Sequence, residues 1–269
     1  MADPGEQTGS LPFGRTSVTT AELRRLSDVE ATITALSDHG VHNPESRVDQ
    51  YFDVLPELLA WLETEGRIFP WRLTRDPWKV YIAEILLQRT RANAVANVYV
   101  PFFTRFPGPE AIRRSDPEEI RKIVDPLGFG NQRTRTLADV ARILGEDHND
   151  RVPESLEELQ RPWRVGAYSA RATLLFAFDH PFALVDANIA RVTQRVFGYE
   201  MPDQPHKSDR LYQFLDALMP SDPSVCRAVN LAYLDLGDGV CVASSPKCDL
   251  CPLASGCQYQ LSNAAPGNE

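Results

Sequence analysis

The 269-residue chain lacks any run of apolar residues near the eighteen or more that a membrane span requires, which argues against an integral helical membrane protein. It also lacks an excess of positive charge. Its formal net charge is −9, which excludes indiscriminate electrostatic binding to a polyanion. No convincing run of alternating strand residues appears, and no internal repeat, so sandwich, barrel and solenoid architectures are not expected. Lysine is scarce, with only Lys79, Lys122, Lys207 and Lys247 in the whole chain. Met1 to Gly14 carries neither a basic start nor an apolar core of the kind a secretory signal has. The default expectation is therefore a cytoplasmic protein, whose cysteines are read as thiolate ligands before disulfides.

What is present is helical periodicity. Leu55, Leu58, Leu59 and Leu62 recur at three- and four-residue spacing. Ile82, Ala83, Leu86 and Leu87 do the same, as do Ile189, Val192, Val196 and Phe197. Asp-Pro pairs at 76–77, 116–117 and 125–126, with Val-Pro at 152–153, punctuate the helices. An all-α fold follows. Residues 1–18, rich in Gly, Pro, Ser and Thr, read as disordered. Residues 20–37 read as one amphipathic helix, 39–47 as a linker, and the end from Ser262 as a frayed tail.

The basic residues are unevenly spread, which leaves local contact with phosphates open. Residues 1–50 hold eight acidic and four basic side chains, a balance of −4. Arg113, Arg114, Arg121, Lys122, Arg133 and Arg135 crowd together further on, as do Arg161, Arg164 and Arg171. Either solvated helix faces or phosphate contacts would account for them.

Two constellations carry chemistry. The first is Cys241-x6-Cys248-x2-Cys251-x5-Cys257, four thiols within seventeen residues. Such a set can wrap one compact soft-metal centre, with Cys-x2-Cys placing two ligands on a single turn. Zinc knuckles usually show two separated Cys-x2-Cys pairs, and here there is one. Cys226 stands apart and reads as a small buried hydrophobe. The second constellation is RPWRVGAYSARATLLFAF at 161–178, followed by LVDANIARV at 184–192. Asp186 is placed to cap the helix bearing Ile189 and Val192.

The cysteine pattern resembles the [4Fe–4S] loop of endonuclease III and MutY-type enzymes, in the helix-hairpin-helix DNA glycosylase superfamily. Further resemblances run along residues 51–260, including FPWR at 69–72 and WKVYIAEILLQRTRANAV at 78–95. The resemblance implies a two-lobed fold, with a helical barrel over 74–185 and a cluster lobe from 50–73 and 186–260, and DNA between them. Residues 1–49 stand outside as an extension and 261–269 as a tail. It further implies a [4Fe–4S] cofactor held by Cys241, Cys248, Cys251 and Cys257, which pins a loop and does no hydrolysis. Arg227 and Lys247 would accompany that loop toward phosphates.

By the same resemblance, Val165 and Gly166 end a phosphate-gripping hairpin turn, with Arg164 where the first glycine is expected. A positive φ there is costly for a non-glycine residue. Asp186 becomes the catalytic carboxylate, stabilising positive charge on the sugar as the N-glycosidic bond breaks. Asn188 and Arg191 fix the aspartate or a phosphate. Bifunctional members carry a lysine after the hairpin, for a Schiff base with the sugar. This chain has Tyr168, so a monofunctional enzyme is implied, acting as a monomer on duplex DNA.

The substrate reading rests on smaller likenesses. Glu84 matches the glutamate that protonates adenine in MutY. Arg89 takes the wedge position where MutY enzymes place glutamine, Tyr168 resembles the tyrosine of thymine-mismatch enzymes, and LGFGNQR at 127–133 resembles their second loop. The sequence also ends soon after the cysteines, without the further domain by which MutY reads 8-oxoguanine. Thymine or uracil opposite guanine is therefore expected, with adenine as the alternative substrate. Arg89 would meet an estranged guanine, Phe129 would wedge into the stack, and a mispaired base is cheaper to extrude than a paired one. Two readings of other classes remain, a DNA-binding module without activity and an electron carrier built on the cluster.

Overall fold

A computed structural model describes residues 12–264. Among them every regular element is helical, as the periodicity predicts. The described residues divide into two compact units: one comprises 12–67 and 181–264, the other Ile68–His180.

The first unit opens with α1 (Thr20–Leu26), α2 (Val29–Asp38) and α3 (Pro44–Glu65). The single helix expected over 20–37 is broken at Ser27 and Asp28, because Asp28 accepts from the Ala31 N–H and so starts a new helix. The linker expected over 39–47 is half helix, since Pro44 sits at the first turn of α3, where its missing N–H costs nothing. The expectation of disorder for residues 1–18 concerns, up to Leu11, residues outside those described. From Pro12 onward it is overturned. Phe13, Thr16 and Val18 are buried. Arg15 donates from its backbone N–H to Ser224 and pairs with Glu22 and Asp222. Gly14 takes φ 101° where a Cβ would stand 2.2 Å from the Ser224 carbonyl oxygen, so only glycine passes there.

The second unit holds α4 (Pro77–Leu87), α5 (Ala92–Arg105), α6 (Pro109–Arg113), α7 (Pro117–Val124), α8 (Gly130–Asp147), α9 (Leu156–Gln160) and α10 (Ala167–Phe178). The Asp-Pro pairs start α4 and α7, with Asp76 and Asp116 as N-caps and proline following. Helix α10 packs along α4, and α6 and α7 along α8. All but three residues of α4 are buried, so this helix forms the centre of the unit.

The chain returns to the first unit with α11 (Ala187–Phe197), α12 (Asp209–Leu218), α13 (Pro223–Gly239) and α14 (Gln258–Ala264). The expected lobe boundaries shift by a few residues at each crossing. Residues 68–73 join the second unit because Phe69 stacks on Trp71 at 4.8 Å and Trp71 leans on Tyr99 of α5. Residues 181–185 join the first, because Ala183 and Leu184 donate to Asp216 and Asn230 of α12 and α13. The supposed N-terminal extension is also part of this unit. Leu23 and Leu36 are fully buried, and Ser221 and Asp28 form backbone bonds joining α1 and α2 to the region around α12. The tail reading fails for residues 262–264, which are helical; 265–269 lie outside the described residues.

Candidate active site and cluster loop

Asp186 takes the N-cap of α11 with extended backbone, and its Oδ1 accepts the Ile189 N–H at 2.7 Å. Capping explains why the chain turns into a helix there. Burial pushes the Asp186 carboxyl above its ordinary value, and this outweighs the Ile189 and Asn188 N–H groups and the Arg191 charge that favour the carboxylate. An ionised carboxylate in such partly dry surroundings interacts strongly with a neighbouring cation.

Arg191, one turn further along α11, turns inward. It donates from Nε to the Cys241 carbonyl at 2.8 Å and from Nη2 to Gly237 at 2.7 Å and Asn188 Oδ1 at 2.9 Å. A further bond reaches the Ala187 carbonyl. These bonds tie the first turns of α11 to the end of α13 and to Cys241. The close approach of α11 to α13 needs Gly237, where a Cβ would lie 2.6 Å from the Asn188 Cβ.

The loop 241–257 hangs from this junction. Arg195 donates to the Cys241 Sγ at 3.3 Å and to the Val242 and Ala243 carbonyls, and its guanidinium lies over the Tyr259 ring. Cys241, Cys248, Cys251 and Cys257 line one small open concavity. None forms a disulfide. Burial pushes Cys251 up to about 12 and raises Cys257. The donor set fits a [4Fe–4S] cluster, which supplies a covalent tether for a loop with little core of its own. Cys226 is fully buried in α13 with its thiol toward the Phe182 carbonyl. Arg227, expected beside the phosphates, is instead 2% exposed and donates to the Pro12 carbonyl. Lys247 is exposed, with its Nζ near the Gly239 carbonyl.

In the second unit, Glu84 lies buried in the middle of α4, with Ser169 of α10 against its backbone carbonyl. Tyr168 is half-buried in the first turn of α10. The turn before it, 161–166, has its Val165 N–H bonded to the Pro162 carbonyl, with Val165 buried and Gly166 exposed. Arg164 does adopt φ 64°, so the turn keeps a glycine-like conformation without glycine; its guanidinium lies over Trp163. Arg89 and Phe129 are also left-handed, at φ 54° and 55°, and both are exposed. Gln88 joins the Arg89 loop to the hairpin, through its Nε2 to the Arg164 carbonyl at 3.3 Å and Ser169 Oγ at 3.1 Å.

The basic crowding seen in sequence largely dissolves. Arg113 pairs with Asp150, Arg114 with Glu110, Arg121 with Glu118, and Arg161 with Asp147 and Glu158. Arg171 and Arg133 are buried. The signal missed in the sequence is Arg133: its place three residues into a helix following a Gly-Phe-Gly turn gave no hint of the carbonyls it meets.

Comparison with known proteins defines the class. Residues 82–215 match the HhH-GPD superfamily of base excision DNA repair proteins, and residues 241–257 match the iron–sulfur binding domain of endonuclease III. The chain belongs to this superfamily and carries its iron–sulfur loop. It is 34% identical to a thymine-DNA glycosylase of Aeropyrum pernix, over 75% of this chain and 92% of that protein. It is 36% identical to a thymine/uracil-DNA glycosylase of Pyrobaculum aerophilum, over 74% and 87%. An adenine DNA glycosylase of Mycobacterium tuberculosis is 32% identical over 73% of this chain but 64% of its own length. A solved thermostable thymine-DNA glycosylase superposes with a TM-score of 0.72 at 34% identity, covering 77% of this chain and 94% of that one.

Proposed function

We propose that this protein is a monofunctional DNA N-glycosylase of base excision repair, acting as a monomer on thymine or uracil mispaired with guanine in duplex DNA. Asp186 carries the reading. A carboxylate anchored at a helix N-terminus, with burial opposing its ionisation, is suited to neutralise the positive charge that grows on the sugar as the glycosidic bond breaks, and to orient the attacking water. Tyr168 supports the monofunctional part. It holds the position after the hairpin where a strand-nicking enzyme needs an amine, and no lysine lies in 161–178. The substrate follows from the thymine and thymine/uracil enzymes that the chain resembles over most of both lengths.

In this reading Arg89 and Phe129 enter the stack beside the mispair, and Arg164, Val165 and Gly166 hold the backbone. Tyr168 lines the pocket for the extruded base, with Glu84 beneath as its proton source or hydrogen-bond partner. Asn188 and Arg191 hold the N-terminus of α11, and with it Asp186, in place. Cys241, Cys248, Cys251 and Cys257 hold the cluster.

The test is single-turnover base release from matched duplexes containing T·G, U·G, A·G, A·8-oxoguanine and normal pairs, scored with and without alkali. Release of thymine or uracil, with strand breaks only after alkali, is the expected result. Release of adenine alone would replace the substrate and put Glu84 in the leading role. Breaks without alkali would overturn the monofunctional assignment, and no release from any duplex would leave a binding protein.

A further inference from the structure

Arg133 in the second unit, which the function above does not use, is a fully bonded buried cation. It is 6% exposed, and all five guanidinium N–H donors have an acceptor. Nε donates to the Gly128 carbonyl at 2.9 Å. Nη1 donates to the Ile85 and Leu86 carbonyls at 3.2 and 3.0 Å. Nη2 donates to the Gln88 carbonyl at 2.8 Å and to Thr90 Oγ1.

These acceptors belong to two loops. Ile85 to Thr90 is the C-terminal end of α4, whose last carbonyls have no partner within the helix and carry the negative end of its dipole. A guanidinium meets both needs there. The Leu87 carbonyl is taken by the Thr90 N–H, and the Gln88 carbonyl also receives the Thr90 hydroxyl, so the end of α4 is closed around Arg89. The fifth bond reaches Gly128, the residue before Phe129. One buried cation thus grips the Gln88 carbonyl and the Thr90 hydroxyl, on either side of Arg89, and the Gly128 carbonyl immediately before Phe129. Those two residues pair an exposed side chain with a left-handed backbone that non-glycine residues avoid.

We infer that Arg133 is the positioning residue that fixes Arg89 and Phe129 relative to each other, so that they probe the base stack as one rigid pair. The inference rests on the proposed reading of Arg89 and Phe129 as the side chains entering the duplex. Arg133 itself is too deeply buried to touch DNA and acts only through the loops. Lysine at 133 would not substitute, because an ammonium has three donors and no planar fork to span both loops.

The experiment uses the full cluster-loaded chain and a T·G duplex with 2-aminopurine beside the mispair, whose fluorescence reports unstacking in stopped flow. Arg133→Met and Arg133→Lys are made alone and in an Arg89→Ala background, with melting curves for each. Arg133→Met is expected to slow unstacking by roughly 30-fold alone and by no more than about 3-fold where Arg89 is already absent, since residues acting through one another are not additive. Arg133→Lys falls between. Equal slowing in both backgrounds would overturn the inference and leave Arg133 a structural staple. Should Arg133→Met not fold, Thr90→Val decides. It removes one acceptor and leaves four, and should slow unstacking by about 3-fold with Arg89 present and not at all without it; no slowing with Arg89 present would overturn the inference. Wild-type protein that unstacks the pair without releasing a base would sink the proposed function alone, and the Arg133 comparison would still decide this point. No unstacking by the wild type would overturn both.

Discussion

The two units each use buried or half-buried arginines to fasten loops, but they fasten opposite things. In the second unit Arg133 holds backbone that is locally unfavourable, beside Arg89 and Phe129, which stand at positive φ with exposed side chains. In the first, Arg191 and Arg195 hold the start of the cysteine loop, and the left-handed position that ends α11 is a glycine, Gly198. The one set of bonds surrounds strained, exposed residues; the other keeps a loop in place to receive an inorganic core.

The sharpest way to break this comparison is at Asp186. Asp186→Asn is expected to bind duplex while base release falls by at least roughly 100-fold, as for a lost acid–base group. Because burial raises this carboxyl, the folded state holds its proton more tightly than the unfolded chain does. Its effect on stability is therefore most favourable on the acid side and is lost as pH rises through the raised value. Asparagine still caps a helix and carries no charge, so the variant should melt no lower than wild type at neutral pH. Its pH–rate profile should also lose the acid limb that the wild type shows above the ordinary carboxylate range. A lower melting temperature would mean that Asp186 serves the fold more than the chemistry.

A smaller effect is expected in the cluster loop. Cys251→Ser should abolish the visible absorbance of an iron–sulfur centre and lower the melting temperature by roughly 10 °C, the shift a few kcal/mol produces in a chain of this size. Unchanged absorbance would exclude Cys251 as a ligand. The smallest effect belongs to the hairpin. Arg164→Gly relieves a left-handed non-glycine residue and should raise stability by up to about 1 kcal/mol in denaturant titration. A loss of stability would show that the contact of Arg164 with Trp163 outweighs the backbone strain.

How much of this was legible in the sequence differs between the units for physical reasons. The helices, the cysteine set and the capping role of Asp186 follow from local pattern, because each depends on spacing within a few residues. The positive φ at Arg164 was foreseen from a missing glycine. Arg133 was not, since all its acceptors but the Gly128 carbonyl lie more than forty residues away around the end of α4, and nothing in a crowded basic run separates a buried arginine from a solvated one. For the same reason the run left solvated faces and phosphate contacts equally open. Arg113 meets Asp150 and Arg161 meets Asp147, pairings that form only when α8 folds beside its neighbours. The disorder expected for residues 12–18 failed because composition does not reveal a groove beside α13 that accepts Gly14 and covers Arg227.

That last contact makes a stretch near one end of the chain the cover for a charge inside a helix. Arg227 is a cation in the interior whose charge is met in part by the Pro12 carbonyl, 215 residues earlier. Trimming residues 12–19 would uncover that guanidinium and remove the buried Phe13, Thr16 and Val18 with it. Replacing Arg227 alone would still leave the strap held by Arg15 on Ser224, Glu22 and Asp222, so the arginine and the segment are not an exclusive pair.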